Sequence, residues 1–236
     1  MSNNSSLFAL KNTSAIRLYI TITFFLASLI EIYAEYIKDI SLQWFVKPLL
    51  LPILIILYLF TSKKVSSLYL VALFFNWLAN LLFISSEMNV ALIASVSFLM
   101  YRVFIILKIF KDDKTLGIIP IVLGSIPFMF LFLSLINIVY ENINIGQFLL
   151  MLFQAMLMTL VGGFSLAKFI IKNDLSSKML LISSLFFGIN LFILGVKFYF
   201  FDFVFLKPIS MVFFVLGHFI FYQYIVLNEK NSHFSD

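Results

Sequence analysis

Eight long apolar stretches dominate this chain, and each is close to the ~20 residues that a helix needs to cross a bilayer. They lie at residues 16–37, 42–60, 67–84, 90–110, 116–140, 145–171, 179–201 and 204–227. The runs are continuous rather than alternating, which favours helices over a transmembrane β-barrel. The sequence is 63% hydrophobic and 11% charged, whereas a soluble domain is about one-quarter charged. We therefore predict an all-α integral membrane bundle of about eight transmembrane helices.

The connections between these stretches alternate in charge along the chain. Basic residues flank the start of the first stretch and every second connection: Lys11, Arg17, Lys63, Lys64, Lys108, Lys111, Lys114, Lys168, Lys172 and Lys178. The others carry Lys38 with Asp39, Glu87, Glu141 and Asp202. By the positive-inside rule, this pattern predicts that both termini are cytoplasmic. We expect a short polar N-terminal segment at 1–15, the transmembrane domain at 16–227 and a disordered tail at 228–236.

Several classes of function are excluded at this stage. The net charge of +5 comes from short connections, so it indicates orientation in a membrane and not nucleic-acid binding. The chain has no cysteine, and it contains no P-loop, no G-x-S-x-G and no H-E-x-x-H motif. We expect no metal site, no cofactor and a membrane lipid as partner, in a multi-pass protein of a bacterial plasma (inner) membrane. The oligomeric state stays open.

The seventh stretch carries the first sign of a functional interior. Asn190 and Lys197 lie seven residues apart, so at about 100° per residue they share one helix face. Polar groups at membrane depth are costly to bury, and they usually face a partner or a water-filled cavity. This helix therefore predicts a polar cavity inside the bundle.

Other polar groups are expected at a similar depth, in the outer half of the bundle. They are Glu31 and Glu35 on one face of the first span, Lys47 in the second, Asn80 in the third and Lys207 at the start of the eighth. We expect these groups, with Asn190 and Lys197, to surround a cavity between spans one, two, three, seven and eight. The alternative for Glu35, Lys197 and Lys207 is an interfacial position with the charge in water. Glu31 lies too deep for that and must be paired or protonated, with Lys47 or Lys197 as candidate partner.

A second set of polar residues is expected towards the cytoplasmic half. Arg102 could be a structural ion-pair partner or could hold an anion, and Gln154 is expected near it. His218 is expected to be a hydrogen-bonded core residue, and Asn76 to bond a neighbouring helix.

Four segments resemble the YhhN-type lysoplasmalogenase family of integral membrane proteins. They are FVKPLLLPILIILYLF at 45–60, LFFNWLANLLF at 73–83, FFGINLFILGVKFYF at 186–200 and FVLGHFIFYQYIV at 214–226. The family's Lys-Pro and Lys-Phe pairs stand here at residues 47–48 and 197–198. The sequence departs from the family at Asn80 and Asn190, where aspartates are usual, and at Arg102, where a histidine is usual.

The resemblance implies eight helices and cleavage of the vinyl ether bond of a lysoplasmalogen, which requires a proton donor. An asparagine amide can position water but cannot supply that proton. On this reading Glu31 is the candidate acid, Asn80 and Asn190 position water or glycerol, and a lysine among Lys47, Lys197 and Lys207 holds the phosphate. Arg102 is a further candidate for holding an anion. The alternatives are a catalytically silent lipid-binding or lipid-sensing protein and a small transporter.

Overall fold

The computed structural model describes residues 2–85, 87–113, 116–200 and 203–232. Eight α-helices and one 3-10 turn at Tyr140–Asn142 make up this part of the chain, and it contains no strand. The helices are α1 Ser2–Ile37, α2 Ile40–Thr61, α3 Ser67–Leu82, α4 Met88–Asp112, α5 Ile118–Val139, α6 Ile145–Lys172, α7 Leu175–Tyr199 and α8 Leu206–Ser232. The predicted all-α class is confirmed, and each predicted apolar stretch coincides with one helix.

Seven of these helices are long and apolar enough to cross a membrane; in α1 the candidate span is Ser14–Ile37. The remaining helix, α3, is apolar but only 16 residues long. Length and composition therefore support a multi-pass membrane protein.

Two predicted boundaries differ from the structure. Helix α1 begins at Ser2 and runs through the predicted polar segment 1–15, where no proline or glycine interrupts it. Helix α8 continues to Ser232, so the tail expected to be disordered from 228 is helical over its first residues. Glu229 accepts hydrogen bonds from the Tyr58 hydroxyl at 2.7 Å and from Ser62 Oγ at 2.6 Å. These bonds join the end of α8 to the α2–α3 connection. Residues 233–236 of the predicted tail lie outside the described residues.

Most helices that are neighbours in the sequence pack against each other, as short connections favour, whereas α4 packs on α6. The strongest pairings are α1 with α2, α3 with α4, α5 with α6 and α7 with α8, and α8 also returns to pack on α1 and α2. The most apolar window of α8 is 61% buried, against 17% for α1. Helix α8 is therefore an interior helix, while α1 lies at the periphery with most of its apolar surface exposed.

The alternating course of the helices gives the bundle two ends. We call the end that contains the α1–α2, α3–α4, α5–α6 and α7–α8 connections the upper end. The lower end contains the other three connections, the start of α1 at Ser2 and the end of α8 at Ser232. The basic residues Lys63, Lys64, Lys111, Lys172 and Lys178 all belong to the lower end.

Two prolines shape α2 and connect it to α3. Pro52 has no N–H, so it cannot bond the carbonyl of Pro48 one turn earlier. The indole Nε1 of Trp77 donates to that Pro48 carbonyl at 2.9 Å. The bond satisfies a backbone acceptor that would be costly to leave unpaired in lipid, and it holds α3 against the part of α2 that carries Lys47.

Candidate functional site

Four charged side chains form an ion-pair cluster near the upper end. Lys47 Nζ lies 2.5 Å from Glu35 Oε1 and 3.2 Å from Glu31 Oε1, and Lys207 Nζ lies 3.4 Å from Glu35 Oε2. Glu31 is fully buried, whereas the Lys207 side chain is 31% exposed. Two carboxylates and two ammonium groups balance when all are ionised, so the cluster can be charged without a net buried charge.

The local sequence explains why these groups meet. Glu31 and Glu35 stand one turn apart on α1 and therefore share a face. Lys38 adopts the left-handed conformation, with φ of 57°, and Asp39 caps α2 by accepting from the Leu42 amide at 3.0 Å. This two-residue turn reverses the chain, so that Lys47 lies opposite the carboxylates.

Beside this cluster lies a cavity of about 120 Å³ that receives side chains from all eight helices. Its polar lining consists of Glu35, Lys47, Asn80, Ser95, Gln154, Asn190, Lys207 and Ser210, together with the hydroxyl-bearing ring of Tyr199. The remaining lining is apolar: Phe83, Phe98, Leu135, Leu150, Met151, Leu191, Leu194, Gly195, Phe198, Met211 and Phe214. One water needs only about 10–15 Å³, so the cavity can hold a ligand group larger than water. Polar and apolar walls together suit an amphiphilic ligand.

A hydrogen-bonded relay leads from the cavity into the core. Asn80 Nδ2 donates to the Asn76 backbone carbonyl at 2.9 Å and to Asn76 Oδ1 at 3.1 Å. Asn76 Nδ2 in turn lies 2.9 Å from His218 Nε2. The predictions that Asn76 bonds a neighbouring helix and that His218 is a hydrogen-bonded core residue are confirmed.

Asn190 and Gln154 form the other polar parts of the wall. Asn190 Oδ1 accepts from Ser210 Oγ at 2.7 Å, which joins α7 to α8. Gln154 Nε2 donates to the Ser95 carbonyl at 2.8 Å, which joins α6 to α4. The expected cavity between spans one, two, three, seven and eight therefore also has walls from α4, α5 and α6.

The structure brings Lys47, Lys207, Asn80 and Asn190 to this cavity, but it places three other candidates outside the lining. Glu31 lies behind the wall and reaches the cluster through Lys47, so the predicted Glu31–Lys47 pair is confirmed. The Lys197 ammonium lies 4.8 Å from the Phe198 ring centroid.

Arg102 is the third candidate outside the lining. Its Nη1 donates to the Gln154 carbonyl at 3.0 Å, so the expected proximity of Arg102 and Gln154 is confirmed. Its guanidinium carbon lies 4.8 Å from the Phe98 ring centroid.

The sequence signals for the cavity wall are ambiguous for Glu35 and absent for two of its serines. Glu35, for which an interfacial position is the alternative, is only 4% exposed and faces the cavity. Its position one turn from Glu31 and opposite Lys47 was the available signal. Ser95 and Ser210 had none, because isolated serines in apolar helices commonly bond their own backbone.

No protein-family model matches this chain, and neither a curated protein nor a solved structure matches it. The lysoplasmalogenase resemblance therefore depends on the quoted segments alone.

Proposed function

We propose that this protein binds a single-chain ether lipid, of which a lysoplasmalogen is the type, in the upper-end cavity. The observation that carries the proposal is the pairing of a balanced charged cluster with an apolar wall in one cavity. The resemblance of four segments to the lysoplasmalogenase family supports the same ligand class. No nucleic acid, metal or cofactor enters the proposal.

The cavity suits the polar head and the first carbons of such a lipid. Its volume of about 120 Å³ is small beside the roughly 300–1,000 Å³ of pockets that enclose a drug-sized ligand. Most of the alkenyl chain of the lipid would therefore extend along or between the apolar helix surfaces. Lys207 is the cation best placed for a phosphate, because it is partly exposed and contacts only one carboxylate, that of Glu35, among the described residues. Lys47 is already held by two carboxylates.

The proposed membrane topology has eight spans, with α3 crossing between α2 and α4. The basic connections of the lower end support a cytoplasmic position for that end and for both termini. The cavity would then open in the outer half of a bacterial plasma (inner) membrane.

Hydrolysis of the vinyl ether is a second candidate function, favoured by the Glu31–Glu35 pair. In this reaction a carboxylic acid gives a proton to the β-carbon of the C=C–O unit, which leaves an oxocarbenium ion. Water then adds to the carbon next to oxygen, a proton leaves, and the hemiacetal collapses to an aldehyde and a free hydroxyl on the headgroup fragment. Glu35 would be the acid, since it lines the cavity and Glu31 does not. Asn80 and Asn190 would position the water.

Binding is the better supported function, because Glu35 lies beside two ammonium groups. Those neighbours favour the carboxylate form, which cannot donate a proton. A carboxylate in contact with two ammonium groups suits ligand recognition better than proton donation.

The test uses purified protein in detergent with a lysoplasmalogen and with its saturated alkyl-ether analogue. Saturable binding of both lipids, measured by calorimetry, is the result expected. Aldehyde release from the vinyl ether alone, abolished by Glu35→Gln, would establish hydrolysis. Failure of both lipids to bind would overturn the proposal. Uptake of a polar solute by proteoliposomes that contain no lyso ether lipid would favour a transporter.

A further inference from the structure

The polar atoms that remain available in the cavity are mainly hydrogen-bond acceptors. Glu35 Oε2 and Gln154 Oε1 are buried and accept no hydrogen bond among the described residues, although Glu35 Oε2 lies 3.4 Å from Lys207 Nζ in an ion pair. Both side chains line the cavity, and they are only 4% and 5% exposed. A buried acceptor without a partner is costly, so it marks a place where a ligand donor would be gained.

The orientation of the two amides follows from their backbone partners. Gln154 Nε2 donates to the Ser95 carbonyl, and Asn80 Nδ2 donates to the Asn76 carbonyl. A backbone carbonyl can only accept, so the amide nitrogen must point to it in each case. The oxygen of each amide is left as the group that can meet a ligand.

We propose that this cavity recognises a primary ammonium group, as in an ethanolamine-type headgroup, and discriminates against the trimethylated choline type. The inference rests on the proposed lipid-binding function and names the headgroup of that ligand. The ammonium would donate to Glu35 Oε2 in place of Lys207, and Lys207 would turn to the phosphate. In this exchange the Lys207–Glu35 ion pair is replaced by two, one between Glu35 and the ligand ammonium and one between Lys207 and the phosphate. The charges stay balanced because the ligand brings one positive and one negative charge.

The chemistry of the two headgroups differs in donors and not in charge. A primary ammonium carries three N–H donors, whereas a trimethylammonium carries none and is recognised by open aromatic faces. The aromatic faces of this cavity are partly occupied: Phe98 has Arg102 over it, Phe198 has Lys197, and Phe214 packs on the His218 ring at 4.4 Å. The wall therefore offers acceptors more readily than an aromatic cage.

The test is a methylation series of one single-chain ether lipid with ethanolamine, N-methyl, N,N-dimethyl and choline headgroups. We expect affinity to fall at each step, with a loss of about tenfold or more between the two ends of the series. Glu35→Gln should remove most of that preference, and Gln154→Met should reduce it severalfold. Glu141→Gln, an exposed carboxylate at the same end, should leave the preference unchanged. Thermal melts establish whether each variant is folded. If Glu35→Gln does not fold, the methylation series on the wild-type protein decides the headgroup preference.

Each outcome has a distinct meaning. Equal affinities across the series, or tighter binding of the choline lipid, overturn the ammonium inference and leave lipid binding intact. If no member binds, the proposed function fails and the inference fails with it. A final experiment adds phosphoethanolamine, which has no apolar chain, as a competitor of the ethanolamine lipid. If it competes at matched concentration, the cavity recognises an ammonium group, but its ligand is a soluble amine.

Discussion

Replacing Lys47 by methionine is the perturbation with the most clearly defined consequence. Lys47→Met keeps the length of the apolar stem but removes the ammonium that contacts both Glu31 and Glu35. Glu35 retains Lys207, whereas the fully buried Glu31 loses Lys47, its ion-pair partner among the described residues. Removing one partner of a buried ion pair typically destabilises a protein by about 3–5 kcal/mol. At about 2–4 °C per kcal/mol for a chain of this size, the midpoint of thermal unfolding should fall by roughly 6–20 °C.

A double-mutant cycle separates the ion pair from the packing of the lysine stem. Glu31→Gln removes the stranded charge, so Lys47→Met should be less damaging in that background, by about 0.5–3 kcal/mol. Lys38→Met is the matched control, because Lys38 is exposed in the neighbouring turn and should change stability by about 0.5 kcal/mol or less. The assay is unfolding of the purified protein in detergent, followed by circular dichroism. Equal melting of the Lys47 and Lys38 variants would show that the ion pairs of Lys47 do not stabilise the fold.

Two further predictions concern helix packing. Trp77→Phe leaves the Pro48 carbonyl without its donor and should lower the free energy of unfolding by about 1–3 kcal/mol, whereas Trp44→Phe, at a side chain that is 54% exposed, should have little effect in the same unfolding assay. Gly163→Ala would place a methyl group against the α5 backbone, 2.7 Å from a carbonyl oxygen, and should destabilise by about 1–3 kcal/mol. Gly117→Ala meets only an ordinary contact at 3.6 Å; similar melting of the two glycine variants would contradict the close α5–α6 packing.

The helical architecture could be predicted from the sequence because lipid solvation leaves few alternatives. Continuous apolar stretches near bilayer length specify helices almost independently of their neighbours. The contact between Lys47 and Glu31 could also be anticipated, since a carboxylate at that depth needs a cation. Because the turn between α1 and α2 is short, the first turns of α2 are the nearest place from which a cation can reach Glu31.

Helix periodicity was not sufficient to identify the residues of the cavity. Asn190 and Lys197 share a face of α7, yet Asn190 lines the cavity and Lys197 does not. Lys197 lies in the last turn before α7 ends at Tyr199, and its long side chain lies over a ring instead. Glu31 and Glu35 share a face as well, but the deeper carboxylate is sealed behind Lys47.

The contribution of α4, α5 and α6 could not be predicted for a different reason. Their lining residues, such as Leu135, Met151 and Gln154, are types that also pack ordinary helix interfaces. Only the tertiary arrangement distinguishes a leucine that faces a cavity from one that faces another helix. The same holds for Trp77 and Pro48, whose hydrogen bond depends on how α2 and α3 cross.

Occupation of the upper-end cavity by a lyso ether lipid can be tested by thiol protection. The chain has no cysteine, so a single introduced thiol reports one position. Leu194→Cys lies in the cavity wall, and Leu185→Cys, on the same helix, replaces a leucine that is 44% exposed on the outer surface. We predict that a small maleimide modifies the Leu194→Cys thiol and that saturating lyso ether lipid slows this modification severalfold, with no such protection at Leu185→Cys. Equal protection of the two thiols, or none at Leu194→Cys, would show that the lipid does not bind in this cavity.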